Sequence, residues 1–444
     1  MKVNRRSIPS IVPCLIFITT LFLILYHAIP VDSHLHPTFS KPNFVTIKNT
    51  QFIVNGQDQF QFSANYWQAM NLATYNKTRF LLELDQMQRI GIQNIRIMAS
   101  SEGPNYSAFR VDQTLMGNPG VYDQELLKGL DLVMVELAKR KMKAVLCLNN
   151  FWQWSGGFAQ YVNWITNEPI PYPRSWNKTL GNWTTGDNDV FESYASRFYL
   201  DQSIYNQTQT IFRKHIESII NRKNTITGRL YKNDDTIFSW ELANEPQSPP
   251  RHWIDDTCSY IKQLDQNHLV TVGLESKNDE TEFFNIHQSS FVDYATIHIW
   301  VQNRGEYDMM DPSDGNIKHA IDWGLQWIEK SNQWAIKLNK PLILEEFGFP
   351  RDNWNGKSVD EIYSPLNPVT RKNRYYLALL TRLVQLRNLS GGYAGFGFWT
   401  YSGNARPGDS LIGDPPHEPA GWYSVYDMDR STIKVMQTAF KLAT

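Results

Sequence analysis

Eight short apolar runs punctuate this chain, each long enough for one strand, with helical patterning between them. They are Phe60–Asn65, Asn94–Met98, Lys143–Leu148, Thr236–Leu242, Leu269–Leu274, Tyr294–Ile299, Pro341–Leu344 and Tyr393–Trp399. Their β-branched and aromatic content reads as buried strand. Leu126, Leu130, Val133 and Leu137 form one helical apolar stripe between them, and Ile211, His215 and Ile219 form another. Strand–helix units joined by right-handed crossovers close into an α/β fold, a single (β/α)8 TIM barrel. An open doubly wound sheet would want a glycine-rich phosphate loop after an early strand, and neither G-x-G-x-x-G nor a Walker loop occurs. Val45–Ile47 and Phe52–Val54 flank a polar turn and predict an N-terminal β-hairpin that plugs the bottom of the barrel. The stretch 151–200 has no clean period and is rich in Trp, Pro, Gly and Asn. It follows the third strand, so it predicts a long loop over the face where the strands' carboxyl ends lie.

Two of the runs end on carboxylates. Thr236-Ile237-Phe238-Ser239-Trp240 leads into Glu241-Leu242-Ala243-Asn244-Glu245-Pro246, and proline stops the ladder just beyond Glu245. Pro341-Leu342-Ile343-Leu344 leads into Glu345-Glu346-Phe347-Gly348. Carboxyl ends of barrel strands are where chemistry is done, and a glycosidase needs two carboxyl groups there, one as acid/base and one as nucleophile. For either glutamate alone, an ordinary ion pair or helix cap explains the position equally well. Successive strand residues point to opposite faces, so only one of Glu345 and Glu346 is expected to enter the barrel mouth, the other being structural and salt-bridged. Glu241 shares a face with Glu245 but lies deeper, which suits buried support.

Trp-Glu-Leu-Ala-Asn-Glu-Pro and Leu-Glu-Glu-Phe-Gly resemble the acid/base and nucleophile strands of glycoside hydrolase family 5, and more narrowly its endo-β-1,4-mannanases. The likeness runs from about Phe44 to the C-terminus. It implies Glu245 as acid/base and Glu346 as nucleophile of a retaining, endo-acting hydrolase of mannan, galactomannan or glucomannan. It implies that Asn244 binds the sugar 2-hydroxyl, that Arg96 keeps the nucleophile ionised, and that His298 positions the machinery. Asn149 and Trp152 resemble a third-strand substrate loop. Trp399 resembles the floor beneath the sugar whose bond breaks, and Trp422 lies in a motif, Pro415 to Tyr426, like the eighth loop. Each of these has an ordinary packing explanation as well. Two positions depart from the pattern. Trp300 stands where many members carry a tyrosine bonded to the nucleophile. Gln247 stands where many mannanases carry an arginine on the leaving-group side, so weaker aglycone binding is expected.

Forty-three basic and 44 acidic residues give a net charge of −1, with no footprint for nucleic acid or an anionic membrane. The 15 Trp and 21 Tyr include many in polar loops, where aromatic faces suit sugar rings. Lys2, Arg5 and Arg6 precede the apolar run Ile11–Ile29, so residues 1–33 read as a signal peptide, with an uncleaved signal anchor as the alternative. Residues 34–43 read as a flexible lead-in and 44–444 as the catalytic barrel. Sequons at Asn76, Asn105, Asn177, Asn182, Asn206 and Asn388 fit a secreted glycoprotein. Of the three cysteines only Cys147 and Cys258 follow the leader, so the fold must stand on its core. Neither H-E-x-x-H nor G-x-S-x-G occurs, which removes zinc-protease and serine-hydrolase readings. The expected partner is polymeric β-mannan, acted on by a monomer without cofactor or metal. An endo-β-1,4-glucanase and a non-catalytic carbohydrate-binding wall protein are the competing readings.

Overall fold

All eight runs are strands of one parallel sheet: β1 Gln61–Asn65, β2 Asn94–Met98, β3 Lys143–Cys147, β4 Ile237–Glu241, β5 Leu269–Thr271, β6 Ala295–Ile299, β7 Leu342–Phe347 and β8 Tyr393–Phe398. The computed structural model describes residues 43–277, 279–352 and 358–444, so the expected signal and most of the lead-in lie outside the described residues. The strand order is β5-β4-β3-β2-β1-β8-β7-β6. The last gap is bridged where the Asp293 N–H donates to the Val270 carbonyl at 2.8 Å and the His298 N–H to the Glu275 carbonyl at 3.0 Å. The resulting barrel has the expected architecture.

Helices pack their apolar stripes against the outside of this sheet. In Gln124–Lys139 the residues Leu126, Leu130, Val133 and Leu137 are all buried, and Asp123 caps the helix by accepting from the Glu125 and Leu126 N–H groups. The bottom is closed as the hairpin pattern predicts. Strands Thr46–Lys48 and Gln51–Val54 insert Phe52, fully buried, edge-on against Phe238 at 4.9 Å and Tyr294 at 5.4 Å. Inside the barrel, Asn65, Arg96, Val145, Phe238, Tyr294, Ile343 and Glu345 leave a void of only about 20 Å³. This is a packed core with charges in its upper layer, not a pore.

The stretch 151–200 is more regular than its pattern suggests. It holds a helix Gly157–Thr166, an antiparallel pair Trp176–Asn177 with Asn182–Trp183, and a helix Asn188–Leu200. Phe158 stacks on Phe198 at 4.1 Å, so the two helices are held by aromatic contacts spread among polar residues, which blurs the period in the sequence. Cys147 and Cys258 are both free and buried. Among the described residues, no helix is long and apolar enough to cross a membrane.

Two core histidines make stability sensitive to acid. Burial pushes His215 down to about 4 and His287 to about 3. Between the ordinary histidine value, about 6.5, and these lowered values, the unfolded chain binds protons that the folded one refuses. Stability is therefore full above that range and falls as pH drops through it, by about 1.4 kcal/mol per pH unit for each residue. The melting temperature should fall between pH 7 and pH 5, and a His287→Gln variant should show a shallower fall.

Candidate active site

Glu245 is held at the mouth of the barrel by backbone contacts on both sides. The Asn244 N–H donates to the Asn149 carbonyl at 2.9 Å, and the Glu245 N–H donates to the Gly273 carbonyl at 2.9 Å. Glu245 has φ of +51°, a left-handed conformation rare for a side chain of this kind. Gly273 must be glycine, since its φ is +78° and a Cβ would sit 2.2 Å from the Ala243 carbonyl oxygen.

Strand β7 departs from simple alternation. Ile297 pairs with Leu344, but the next residue, His298, pairs with Glu346, leaving Glu345 as an extra residue in a bulge. Both glutamates therefore turn inward, which corrects the expectation of opposite faces, while only Glu346 enters the mouth and Glu345 is ion-paired beneath it, 3.7 Å from Arg96 and 3.2 Å from His298. Glu346 lines the cleft, and Glu345 sits one layer below in the barrel interior. A bulge re-aims side chains in this way because the extra residue breaks the period of two. Gly397 on β8 gives it room: a Cβ there would lie 2.9 Å from the Glu345 carbonyl oxygen.

Arg96 ties these strands together. Its Nε and Nη2 donate to Glu241 at 2.8 and 2.5 Å, and Nη2 also donates to Asn244 Oδ1 at 2.8 Å. Its Nη1 donates to Asn65 Oδ1 at 3.1 Å and to Glu346. All five guanidinium N–H groups thus have an acceptor. His298 lies on the other side of the carboxylates. Its Nδ1 is 2.6 Å from Glu245 Oε1 and 3.3 Å from Glu346 Oε2, and its Nε2 is 3.2 Å from Glu345 Oε2. Carboxyl oxygens of Glu245 and Glu346 and a ring nitrogen of His298 all fall within 4.8 Å of one another.

Four buried carboxyls, Glu241, Glu245, Glu345 and Glu346, face one guanidinium and one imidazole. Charge in so dry a site cannot balance unless some carboxyls keep a proton. Burial raises Glu346 to about 8, helped by Glu245 and Glu345 and opposed by His298 and Arg96. Burial also acts on Glu245, but the hydrogen bond and charge of His298, with the Trp152 indole, outweigh it and hold Glu245 at about 2. Burial alone would lower His298, yet Glu346, Glu245 and Glu345 drive it well above the ordinary histidine value. The two mouth carboxyls are thus pushed in opposite directions, Glu245 down and Glu346 up; Arg96 does pull Glu346 toward its ionised form, as expected, but burial outweighs that pull.

Above them lies a cleft of about 460 Å³ walled by Trp152, Trp154, Trp183, Trp300, Trp399 and Trp422. Of the residues anticipated for substrate, Asn244, Trp152, Trp300, Trp399 and Trp422 line it. Arg96 and His298 lie beneath the carboxylates. Asn149 is fully buried and meets the site through its carbonyl. Trp152 Nε1 donates to Glu245 Oε2 at 2.6 Å and Trp300 Nε1 to Glu245 Oε1 at 3.3 Å. Trp300 thus bonds the fourth-strand carboxyl, where the tyrosine of the pattern would bond the seventh-strand one. Gln247 is buried and turned back, donating to the Glu245 carbonyl at 2.8 Å; it does not line the cleft. Lys277, Arg304 and Trp183 line the cleft without having been anticipated, and the only sequence sign of them is their place in loops after strand ends.

The third and eighth loops meet over this face. The Trp176 N–H donates to the His417 carbonyl at 2.7 Å, and Trp183 packs edge-on against Trp422 at 5.4 Å. On the far side of this strap a separate groove is lined by Trp67, Phe109, Trp176, Lys178 and Pro416.

Breaking the guanidinium hub should cost stability as well as function. Arg96→Met leaves Glu241 and Glu346 without their cation and should lower unfolding free energy by about 3–5 kcal/mol in urea titration. Arg96→Lys should recover little of it, since one ammonium cannot replace a five-donor fork.

Comparison with known proteins gives the family. A profile described as GH family 5 beta-mannosidase-like matches residues 42–443. The chain is 27% identical to mannan endo-1,4-beta-mannosidase 1 of Arabidopsis thaliana, covering 84% of this chain and 85% of that protein. It is 38% identical to the glycoside hydrolase family 5 mannosidase of Rhizomucor miehei, with a TM-score of 0.85 over 91% of this chain and 98% of that one. The endo-1,4-beta-mannanase of Rhizomucor miehei shares the fold, with a TM-score of 0.63 and 20% identity over 90% of this chain and 99% of that one. A paired-carboxylate cleft at the carboxyl ends of barrel strands, matched along nearly the whole barrel, makes this chain a hydrolase of glycoside hydrolase family 5.

Proposed function

We propose that this chain hydrolyses β-1,4-mannosidic bonds of mannan-type polysaccharides by double displacement, with retention at the anomeric carbon. The observation that carries this is the spacing of Glu245 and Glu346, whose nearest oxygens lie within 4.8 Å. Retaining enzymes hold their carboxyls about 5–5.5 Å apart, whereas inverting ones leave room for a water at about 6.5–9.5 Å. Glu346 attacks the anomeric carbon, and Glu245 protonates the departing oxygen and then activates water. Asn244 lines the cleft; its Oδ1 accepts from Arg96 and its amide donates to Asn150 Oδ1 at 3.1 Å, which leaves one amide hydrogen for the sugar 2-hydroxyl. Trp399 and its tryptophan neighbours supply faces for stacking. Mannan as substrate, and cutting at internal bonds, are supported by the names of the plant relatives. The apolar leader and the sequons support secretion as a glycoprotein.

One observation favours a second reading, in which cutting is confined to chain ends. The third and eighth loops are joined at Trp176 and His417, with His417 and Trp422 lining the cleft and Trp176 lining the outer groove. On this reading the joined loops keep a polymer from running through the cleft. Digestion of mannohexaose separates the readings. Mixed oligosaccharides with a rapid loss of galactomannan viscosity mean internal cutting, and mannose released one unit at a time means end cutting.

The mechanism itself is tested by substitution. Glu346→Gln and Glu245→Gln should each lower kcat on mannan at least about thousandfold. Glu245→Gln should keep rapid bond cleavage on an aryl mannoside whose leaving group needs no acid, and Glu346→Gln should not. Retained turnover of mannan in either variant, or a first product of inverted configuration by NMR, would sink the assignment.

A further inference from the structure

In the double displacement proposed above, Glu245 protonates the departing oxygen, so the leaving sugar lies on the Glu245 side of the cleft. Strand order decides what stands there. β4 lies across the barrel from β8, which runs into Trp399, and its neighbour on the far side is β5. The Glu245 N–H donates to the Gly273 carbonyl just beyond β5, and the chain continues through Glu275 and Lys277. The Glu275 carbonyl accepts from the His298 N–H of β6 at 3.0 Å, so this loop is tied to both neighbouring strands. Between Glu275 and Lys277, Ser276 takes a left-handed φ of +56°, and its Oγ donates to the Thr296 carbonyl at 2.8 Å. The turn is thereby held, and Glu275 and Lys277 both line the cleft.

Glu275 is a buried carboxylate between two cations. Arg304, in the turn after β6, donates to it through Nη2, and Lys277 Nζ lies 3.6 Å from it. Neither cation is used up by this contact. At 3.6 Å the ammonium is held by charge and not by a hydrogen bond. The guanidinium spends only an Nη2 hydrogen of its fork on Glu275. Among the described residues, the remaining side-chain donors of both meet no acceptor. The two side chains are only 21% and 31% exposed, and both line the cleft. Cationic donors held in place and left open toward a cleft form strong hydrogen bonds with sugar hydroxyls. Gln247, the first candidate for this side, is turned away.

We propose that Lys277 and Arg304, keyed by Glu275, bind hydroxyls of the sugar on the leaving-group side and so set the preference for a sugar there. That sugar is neutral: Glu192, Glu245, Glu346 and Glu418 also line the cleft, and an acidic leaving group would be repelled. One carboxylate holding two cations also fixes their spacing, which favours a compact ring with several hydroxyls over a flexible alcohol.

The inference rests on the double-displacement reading, which says where the leaving group lies. Two substrates isolate that side, since mannohexaose places a sugar there and an aryl mannoside places none. Lys277→Met and Arg304→Gln should each lower the ratio of kcat/KM on mannohexaose to that on the aryl mannoside by about tenfold or more. Lys277→Arg, which keeps a charged donor, should restore most of the ratio, and Gln247→Ala should leave it where it is in the wild type. A merely structural ion pair would lower the melting temperature and slow both substrates alike. A ratio unmoved by Lys277→Met and by Arg304→Gln therefore overturns the proposal. Calorimetry separates this from the reaction itself. Mannohexaose titrated into Glu346→Gln should bind about tenfold more weakly once Lys277→Met is added. Unweakened binding sinks the proposal and leaves the displacement standing, whereas a product of inverted configuration sinks the displacement and leaves the binding result intact.

Discussion

The Arg96 guanidinium is what allows a barrel interior to hold this many carboxyls. Each of its five N–H groups meets an oxygen, and those oxygens come from β1, from β4 and the residues just beyond it, and from β7. A buried ion pair of this kind is not a cheap source of stability, because the desolvation of each charge offsets much of the attraction. Its return is geometric. Asn65, Glu241, Asn244 and Glu346 are all aimed by one rigid planar fork, and the catalytic layer inherits that rigidity. Packing beneath it, down to Phe52 at the base, leaves no slack through which the fork could shift.

Much of this was legible in the sequence. The eight strands were readable because each is buried on both faces, so continuous apolar runs survive where an alternating pattern would not. Pro246 marked the end of the fourth strand and so placed Glu245 at the mouth. The charge inside Asn94-Ile95-Arg96-Ile97-Met98 stood out because an arginine within a buried strand needs anions close by.

What could not be read was local backbone geometry. Strict alternation misplaced Glu345, because a bulge adds one residue to a period of two and leaves no composition mark on its own strand. The trace it does leave is on the neighbouring strand, in Gly395-Phe396-Gly397, whose bare backbone lets β7 swell. Gln247 misled for a similar reason. Position after a motif suggests reach into the cleft, but its amide folds back on the Glu245 carbonyl, satisfying a buried acceptor at a tight left-handed turn. The helices of 151–200 were hidden by aromatic packing that does not follow one stripe.

The meeting of the third and eighth loops has a consequence for how such a cleft can diverge. Its hydrogen-bonded link runs between two main-chain atoms, the amide of Trp176 and the carbonyl of His417. Exchanging side chains at those two positions leaves both atoms in place, so point mutation has little grip on that link. Lengthening or trimming either loop removes it outright while leaving every barrel strand untouched. The length of the cleft is therefore a trait that insertions and deletions can tune, on a scaffold whose strands stay as they are.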